Sequence, residues 1–290
     1  MKIRNPYRNL SHWFRGNTHT HSTLSDGEWP LERVVAFYRD RGYAFLAMTD
    51  HDVFTDLSPF TTPEFLGLSS DEVTVRGRDH IVGLHLKGLV DSFTDHQSTI
   101  AAINDHGGLA VLAHPNWSSF NIERCLQLHG YVAIEILNVV CNYLEYNGFA
   151  VQYWDQLLTQ GVRVWGIAAD DAHRILHQGA KAWIVVNADR LTAEDILGNI
   201  RAGNFYASTG PDFHGFEVAG TTIRVRCTPA IEIRFMTGGL NPASRVRGEG
   251  LTHAEYTPRT GDPYVRVEVV DAQMQSAWSQ PFFIDPDWRP

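Results

Sequence analysis

The chain has 290 residues, 43% of them hydrophobic and 20% charged, enough for one large domain or one with a small companion. A formal charge of −9 and an isoelectric point near 5.8 exclude an extended nucleic-acid footprint or an anionic-membrane surface, while leaving room for a local pocket that binds one phosphate. Cys125, Cys141 and Cys227 are scattered without disulfide or metal spacing, which fits a reduced, cytoplasmic protein. No apolar run approaches the roughly 20 residues of a membrane helix, and Met1–Tyr7 has charge but no apolar stretch after it, unlike a signal peptide.

Residues 1–15 read as a lead-in arm, with Trp13 and Phe14 covering the bottom or side of the domain. Gly16–Asp26 reads Gly-Asn-Thr-His-Thr-His-Ser-Thr-Leu-Ser-Asp. A short strand over Asn17–His21 puts His19 and His21 on one face, where both imidazoles reach one ion. Asp26, in a Ser-Asp-Gly turn, brings a carboxylate back beside them. Imidazole with carboxylate suits Zn, Mn or Fe better than Ca or Mg. Gly27-Glu-Trp-Pro opens a helix with Leu31, Val34, Val35 and Tyr38 at helical spacing, and Gly42 ends it. Tyr43–Met48 is a continuous apolar run, as in a buried parallel strand. It delivers Thr49-Asp50-His51-Asp52 at its C-terminal end, where strand–helix barrels gather their chemistry. A lone histidine is usually a surface or core residue. Two at strand spacing, an acid and a second His-Asp group at another strand end set that reading aside.

The segment Gly16-Asn-Thr-His-Thr-His-Ser with Ser25-Asp-Gly, and then Ala47-Met-Thr-Asp-His-Asp, resembles the first two motifs of the PHP (polymerase and histidinol phosphatase) family. The resemblance implies an α/β fold, a distorted seven-stranded TIM-like (β/α)7 barrel, with two or three divalent metal ions. Residues 53–70, with Pro59 and Pro63, read as a loop overhanging the site. Residues 71–86 read as a hairpin about a Gly turn. Members of the family carry a Glu-x-Thr segment and then a His-containing strand here, so the resemblance makes Glu72 the carboxylate that bridges two metals. His80 and His85 differ in parity, and which of them shares Glu72's face depends on whether the turn holds three or four residues. Spacing leaves that open; the resemblance favours His80.

Gln97–His106 reads as a helix stopped by Gly107-Gly108. Leu109–Ala113 is a buried strand ending in His114-Pro-Asn-Trp, which resembles the third motif and implies His114 as a ligand. Val132–Leu137 is a further strand; its Glu135 is expected to hydrogen-bond rather than to ligate. Asn142–Gln160 reads as one long helix whose aromatic stripe, Tyr146, Phe149, Tyr153 and Trp154, packs into the core. Val162–Ala168 is a strand leading to Asp171 and His173, which match the family's final Asp-x-His motif and point one way. Asp170 could accept a hydrogen bond from a ligand histidine. Lys181–Val186 is the last barrel strand, Thr192 caps a helix with Asp195 three residues on, and residues 203–211 close the barrel. From residue 214 helical periodicity gives way to short alternating segments, which read as a small β-sandwich. The domains are therefore 1–213 and 214–290.

His19, His21, Asp26, His51, Glu72, His80, His114, Asp171 and His173 are nine ligand-type side chains, too many for one ion and right for two or three. Closely spaced ions hold a bridging water and lower its pKa, giving hydroxide at neutral pH. Glu72, Asp171 and His173 form the expected catalytic core. No protein nucleophile is required, and the hydroxyls of Thr20–Thr23 read as turn hydrogen-bonders. Arg174, His177 and Lys181 follow the last ligand and can grip a substrate anion, though each is as readily a solvated surface group; His214 is a weaker candidate. Trp13-Phe-Arg-Gly-Asn-Thr-His-Thr-His, Phe205-Tyr-Ala-Ser-Thr-Gly-Pro and Ala277-Trp-Ser-Gln-Pro resemble a PHP branch with a C-terminal β-domain that includes carbaryl (aryl N-methylcarbamate) hydrolases. The resemblance implies first a phosphoesterase acting on a small-molecule substrate such as a nucleotide or sugar phosphate. A carboxyl- or carbamate-ester hydrolase with the same metals comes second. A non-catalytic metal-binding module comes third, and the complete ligand set argues against it. A phosphatase needs cations around the phosphate oxygens; an aryl carbamate needs an apolar slot.

Overall fold

A computed structural model describes residues 2–77, 79–91, 95–118, 120–238 and 241–285. The elements begin β1 (Lys2–Arg4), β2 (His12–Asn17), α1 (Leu31–Arg39), β3 (Phe45–Met48), β4 (Leu66–Ser69), β5 (Asp71–Val75) and β6 (Asp79–Leu84). They continue α2 (His96–Asp105), β7 (Leu109–Leu112), α3 (Ile122–Gln127), β8 (Ala133–Asn138), α4 (Val139–Glu145), α5 (Val151–Thr159) and β9 (Trp165–Ala169). Next come α6 (Ile175–Gln178), β10 (Trp183–Ala188), α7 (Ala193–Ala202) and β11 (Phe205–Ser208). The last are β12 (Phe213–Ala219), β13 (Thr222–Met236), β14 (Ser244–Tyr256), β15 (Tyr264–Val270), β16 (Ser276–Ser279) and β17 (Phe282–Asp285).

The apolar runs become short strands with neither face exposed: all of β3, β4, β7 and β8 is buried. Side-chain oxygens of Asp95, Asn121, Asn138 and Thr192 cap α2, α3, α4 and α7 by accepting backbone N–H bonds. Three elements differ from expectation. The loop over 53–70 contains β4, which pairs in parallel with β3. The long helix over 142–160 is two, broken where Tyr146 turns left-handed at φ +58 and Gly148 packs so closely that a Cβ would lie 2.1 Å from the Asn138 carbonyl oxygen. Its aromatic stripe splits accordingly: Trp154 is buried, while Tyr146 and Phe149 are exposed. Third, β2 ends at Asn17, so His19 and His21 lie just beyond a strand rather than along one.

The hydrogen bonds draw two open sheets, not a closed seven-stranded barrel. One sheet runs β4-β3-β2-β10-β11-β16 and on through β15, and the other runs β5-β6-β7-β8-β9. Among the described residues no ladder joins them. The chain bends at Ser70 between β4 and β5, and β6 lies antiparallel to both neighbours, which breaks the parallel winding that a regular barrel requires. The sheets are instead stitched at points. Lone bridges link His51 with Glu72 and Thr20 with Ala172. The Gln280 side-chain amide accepts from the Gly166 N–H at 2.9 Å and donates to its carbonyl at 2.8 Å, standing in for a strand beside β9.

The C-terminal strands are continuous with the first sheet: β11 pairs with β16, and β1 pairs with β17. The lead-in arm thus belongs to this sheet, with β1 at its edge and β2 inside it, and Trp13 packs on Tyr206 and Phe216. β13 is one long strand, flanked by β14 along its length, by β12 on its first half and by β15 on its second. Arg266 of β15 is fully buried, with Nε and Nη2 donating to Asp155 of α5 at 2.7 and 2.6 Å and Nη1 donating to Glu268 at 2.6 Å. Asp155→Ala leaves Arg266 with one carboxylate and is expected to lower stability by about 3 kcal/mol. Urea unfolding reads this as a lower midpoint at unchanged slope. A loss below about 0.5 kcal/mol would mean the pair does not hold the C-terminal strands to α5.

Candidate metal centre

Five segments converge on one point between the two sheets. β2 ends before His19 and His21, β3 before His51, and β7 before His114; β9 leads to Asp171 and His173, and the β5–β6 hairpin contributes Glu72 and His80. In that hairpin Val75 pairs with Asp79 and Thr74 with His80, so three residues separate the strands and His80 shares Glu72's face. His85 lies past the end of β6, and its N–H donates to Ser70 Oγ. His114 and Asp171 hold positive φ of +29° and +54°, each a conformation costing on the order of 1 kcal/mol that aims the side chain inward.

Glu72 is completely buried, and its two oxygens face different imidazoles. Oε2 is 3.1 Å from His19 Nε2, 3.3 Å from His21 Nε2 and 3.1 Å from His51 Nδ1. Oε1 is 3.0 Å from both His80 Nδ1 and His114 Nε2. Asp171 Oδ1 lies 2.9 Å from His21 Nε2 and 3.3 Å from His19 Nε2. Asp26, on the rim, is 3.2 Å from His173 Nε2 and 3.8 Å from His51 Nε2. Three groups of donors result: His19, His21, Glu72 and Asp171; His51, Glu72 and His80, with His114 alongside; and His21, Asp26, His51 and His173.

The residues fit divalent cations on a direct test. His19 Nε2, His51 Nδ1 and Glu72 Oε2 are buried and close together, yet none forms an acceptably angled hydrogen bond. Such orphans are rare unless something else satisfies them. Two ligands on an ion with bonds of about 2.1 Å lie about 3 Å apart, the separation seen here.

The supporting bonds fix which ring nitrogen faces inward. His19 Nδ1–H donates to Glu135 Oε1 at 2.7 Å, and His173 Nδ1–H donates to the Asp171 carbonyl at 2.9 Å, leaving each Nε2 lone pair for the centre. Glu135 also accepts from the His114 N–H and from Asn138 Nδ2, the hydrogen-bonding part expected of it. Asn138 Nδ2 reaches Asp171 Oδ2 as well, at 3.0 Å. Asp50 accepts from the Ser22 N–H and from the hydroxyls of Ser22, Ser25 and Thr55, shaping the loop that carries Asp26. Asp170 does not serve a histidine: it accepts from Tyr38 and from the N–H groups of Ala180, Lys181 and Ala182, anchoring the chain after His173. Sequence reasoning missed the parts of Asp50 and Asn138, which carry no motif of their own beyond standing at strand ends.

A cleft of about 520 Å³ opens over the centre. Arg174 and His177 line it, as do Trp117, Val140, Tyr143 and Leu144. Lys181 does not; its side chain is exposed elsewhere. His214 lines a separate depression beside Asn9 and Arg226.

No protein-family model matches the sequence, and no curated protein matches it. Its backbone does match that of a two-domain protein containing a predicted PHP-like metal-dependent phosphoesterase from Bacteroides vulgatus, over 98% of each chain, at 15% identity and a TM-score of 0.58. The two chains share a fold. Looser matches cover 55% of this chain and 87% of an amidohydrolase from Chromobacterium violaceum solved with bound sulfate and no metal, at 16% identity and a TM-score of 0.41. Another covers 64% of this chain and 94% of a candidate metal-dependent phosphoesterase from Bifidobacterium adolescentis, at 14% identity and a TM-score of 0.45. Among the described residues no helix is long and apolar enough to cross a membrane.

Burial disfavours charge on the imidazoles, but Asp171, Glu72 and Glu135 outweigh it and hold His19 well above the usual histidine value. His21 is likewise raised against its burial, to about 9, by Asp171 and Glu72. Burial would push Glu72 up, yet His19 and His80 hold it well below the carboxylate range. Without metal, therefore, the cluster keeps protons at neutral pH that a cation must displace. Metal uptake at pH 7 should release protons, and apparent affinity should rise as the pH climbs toward about 9. Calorimetry in two buffers of different ionisation enthalpy measures this, and equal heats in both would refute it. Glu135→Gln should weaken metal binding about 10- to 100-fold while the fold persists, since it frees His19 to rotate or change tautomer. Dye-competition titration alongside circular dichroism separates that from unfolding.

Proposed function

We propose that the chain is a metal-dependent phosphoesterase acting on a small phosphate ester. The observation that carries this reading is Glu72, one buried carboxylate whose two oxygens address five imidazoles in two directions, as suits a bridge between ions. His19, His21, Asp26, His51, Glu72, His80, His114, Asp171 and His173 would hold two or three ions of the Mn, Zn or Fe class. Such ions, when bound, supply Lewis acidity and activate water at neutral pH. The chain's own groups do the rest. Glu135 and the Asp171 carbonyl hold His19 and His173 in the tautomers ligation needs, and from the cleft wall Arg174 neutralises the phosphate oxygens while His177 helps orient them. In the reaction the ester P–O bond breaks, the water oxygen joins phosphorus, and the alcohol leaves with a proton. Lys181 has no part in this, being outside the cleft. We take 1–213 as the hydrolase and 214–290 as an accessory that braces it. Three buried, unpaired cysteines support a reducing, cytoplasmic setting.

A carbamate- or carboxyl-ester hydrolase is the second reading, favoured by the apolar side of the cleft at Trp117, Val140, Tyr143 and Leu144. Arg174 weighs against it, because a neutral carbamate has no use for a cationic group in the cleft. The test is hydrolysis of p-nitrophenyl phosphate, bis-p-nitrophenyl phosphate and 1-naphthyl N-methylcarbamate by protein loaded separately with Mn, Zn and Fe, with Asp171→Asn as the blank. Phosphate-ester turnover that is lost in the blank is the expected outcome. Carbamate turnover alone would overturn the phosphoesterase reading, and silence on all three with metals bound would overturn both.

A further inference from the structure

One stretch of the cleft lining is an unusual surface. Tyr143 and Leu144 lie in the short helix α4 and remain 66% and 60% exposed, although neighbouring Val140 and Cys141 are buried. Exposed apolar side chains are ordinary when scattered, but these two are adjacent, line the metal-centre cleft and share that lining with Trp117.

The helix that presents them is fixed to the centre itself. Asn138 caps α4 by accepting the Cys141 N–H at 3.0 Å, and its amide nitrogen donates at once to Glu135 and Asp171. The Val140 N–H donates to the Asp170 carbonyl at 3.2 Å. At the far end Tyr146 takes the left-handed conformation and Gly148 presses against the Asn138 carbonyl, so the helix stops after two turns and cannot slide. The backbone that carries this lining is therefore tied by hydrogen bonds to Asp171 and Asp170.

The same cleft thus carries Arg174 and His177, suited to a phosphate, and Tyr143, Leu144 and Trp117, suited to what the phosphate is attached to. A sugar or glycerol moiety would waste this wall, since its hydroxyls would be desolvated against Leu144 without partners. We infer that the substrates are phosphate monoesters of flat, apolar alcohols, phenol-like or larger, whose leaving group is covered by Tyr143 and Leu144. The inference rests on the phosphoesterase reading and narrows its substrate class. Tyr143 and Leu144 are specificity-determining residues: they select the leaving group and take no part in bond breaking.

The test compares phenylphosphonate with methylphosphonate, non-hydrolysable ligands with the same dianionic head, by calorimetry on the full, Mn-loaded chain. Wild type should bind phenylphosphonate tighter by on the order of tenfold. Tyr143→Ala combined with Leu144→Ala should collapse that ratio to about two or less, and Tyr143→Phe should keep it. Both side chains are exposed, so the variants are expected to fold, which circular dichroism verifies. A ratio near one in wild type, or one that the double variant leaves intact, overturns the inference while leaving the phosphoesterase reading in place. Failure of both phosphonates to bind removes that reading and this one together. A wild-type dimer in sedimentation that the double variant dissociates would assign the patch to a second copy instead, and also overturns it.

Discussion

The centre depends on a carboxylate that water never touches. Glu72 is fully buried, and an isolated charge there would cost several kcal/mol to desolvate. Five imidazoles ring it, and they in turn are packed among Asp171, Glu135 and Asp26. Histidines among acids offset the cost in the protein alone, and divalent cations held by these residues would do so more completely. The cluster is therefore one that divalent cations could complete. Its neighbours follow the same rule at one remove: Asp50, Asp170 and Asn138 are buried polar groups, each of which ties down a loop bearing a ligand.

The cluster lies where the two sheets fail to join. His51 and Glu72 form one of the lone bridges across that gap, and Thr20, between His19 and His21, forms another with Ala172 beside Asp171. A regular ladder there would commit these backbones to flat, alternating strands. The broken pairing lets His114 and Asp171 take positive φ and lets histidines from adjacent segments turn toward one locus. Geometry at the site and irregularity in the fold have a common origin.

Much of this was legible in the sequence, and unevenly so. The motifs around His51, His114 and Asp171 stand at the ends of apolar runs that are strands β3, β7 and β9, while His19 follows the mixed strand β2, whose extent the sequence misplaced. Spacing could not choose between His80 and His85, because the choice rests on one residue of turn length, and the pairing of Val75 with Asp79 made it. The break between α4 and α5 was hidden because Gly148 acts through a close approach to the Asn138 carbonyl, a tertiary contact, within a stretch whose periodicity reads as helical throughout. β14 escaped notice for another reason. Most of its residues are exposed, its apolar positions Val246, Leu251, Ala254 and Tyr256 are widely spaced among glycines and charges, and Arg245 and Arg247 are held by Glu232 of β13. The open sheets are a property of pairing between distant segments, which no local pattern encodes.

Gln280 sits far from the metal donors in sequence, yet it bears on them through β9. Its side chain occupies the hydrogen-bonding groups of Gly166, in the strand that leads to Asp171, while Ala277–Ser279 cover the free edge of β11. A cut after residue 213 would expose both at once, a bare strand edge beside the segment that delivers a ligand, and such edges invite pairing with other chains. The last quarter of the sequence is therefore a seal as much as an appendage: it closes the edge of β11 and occupies the free groups of β9.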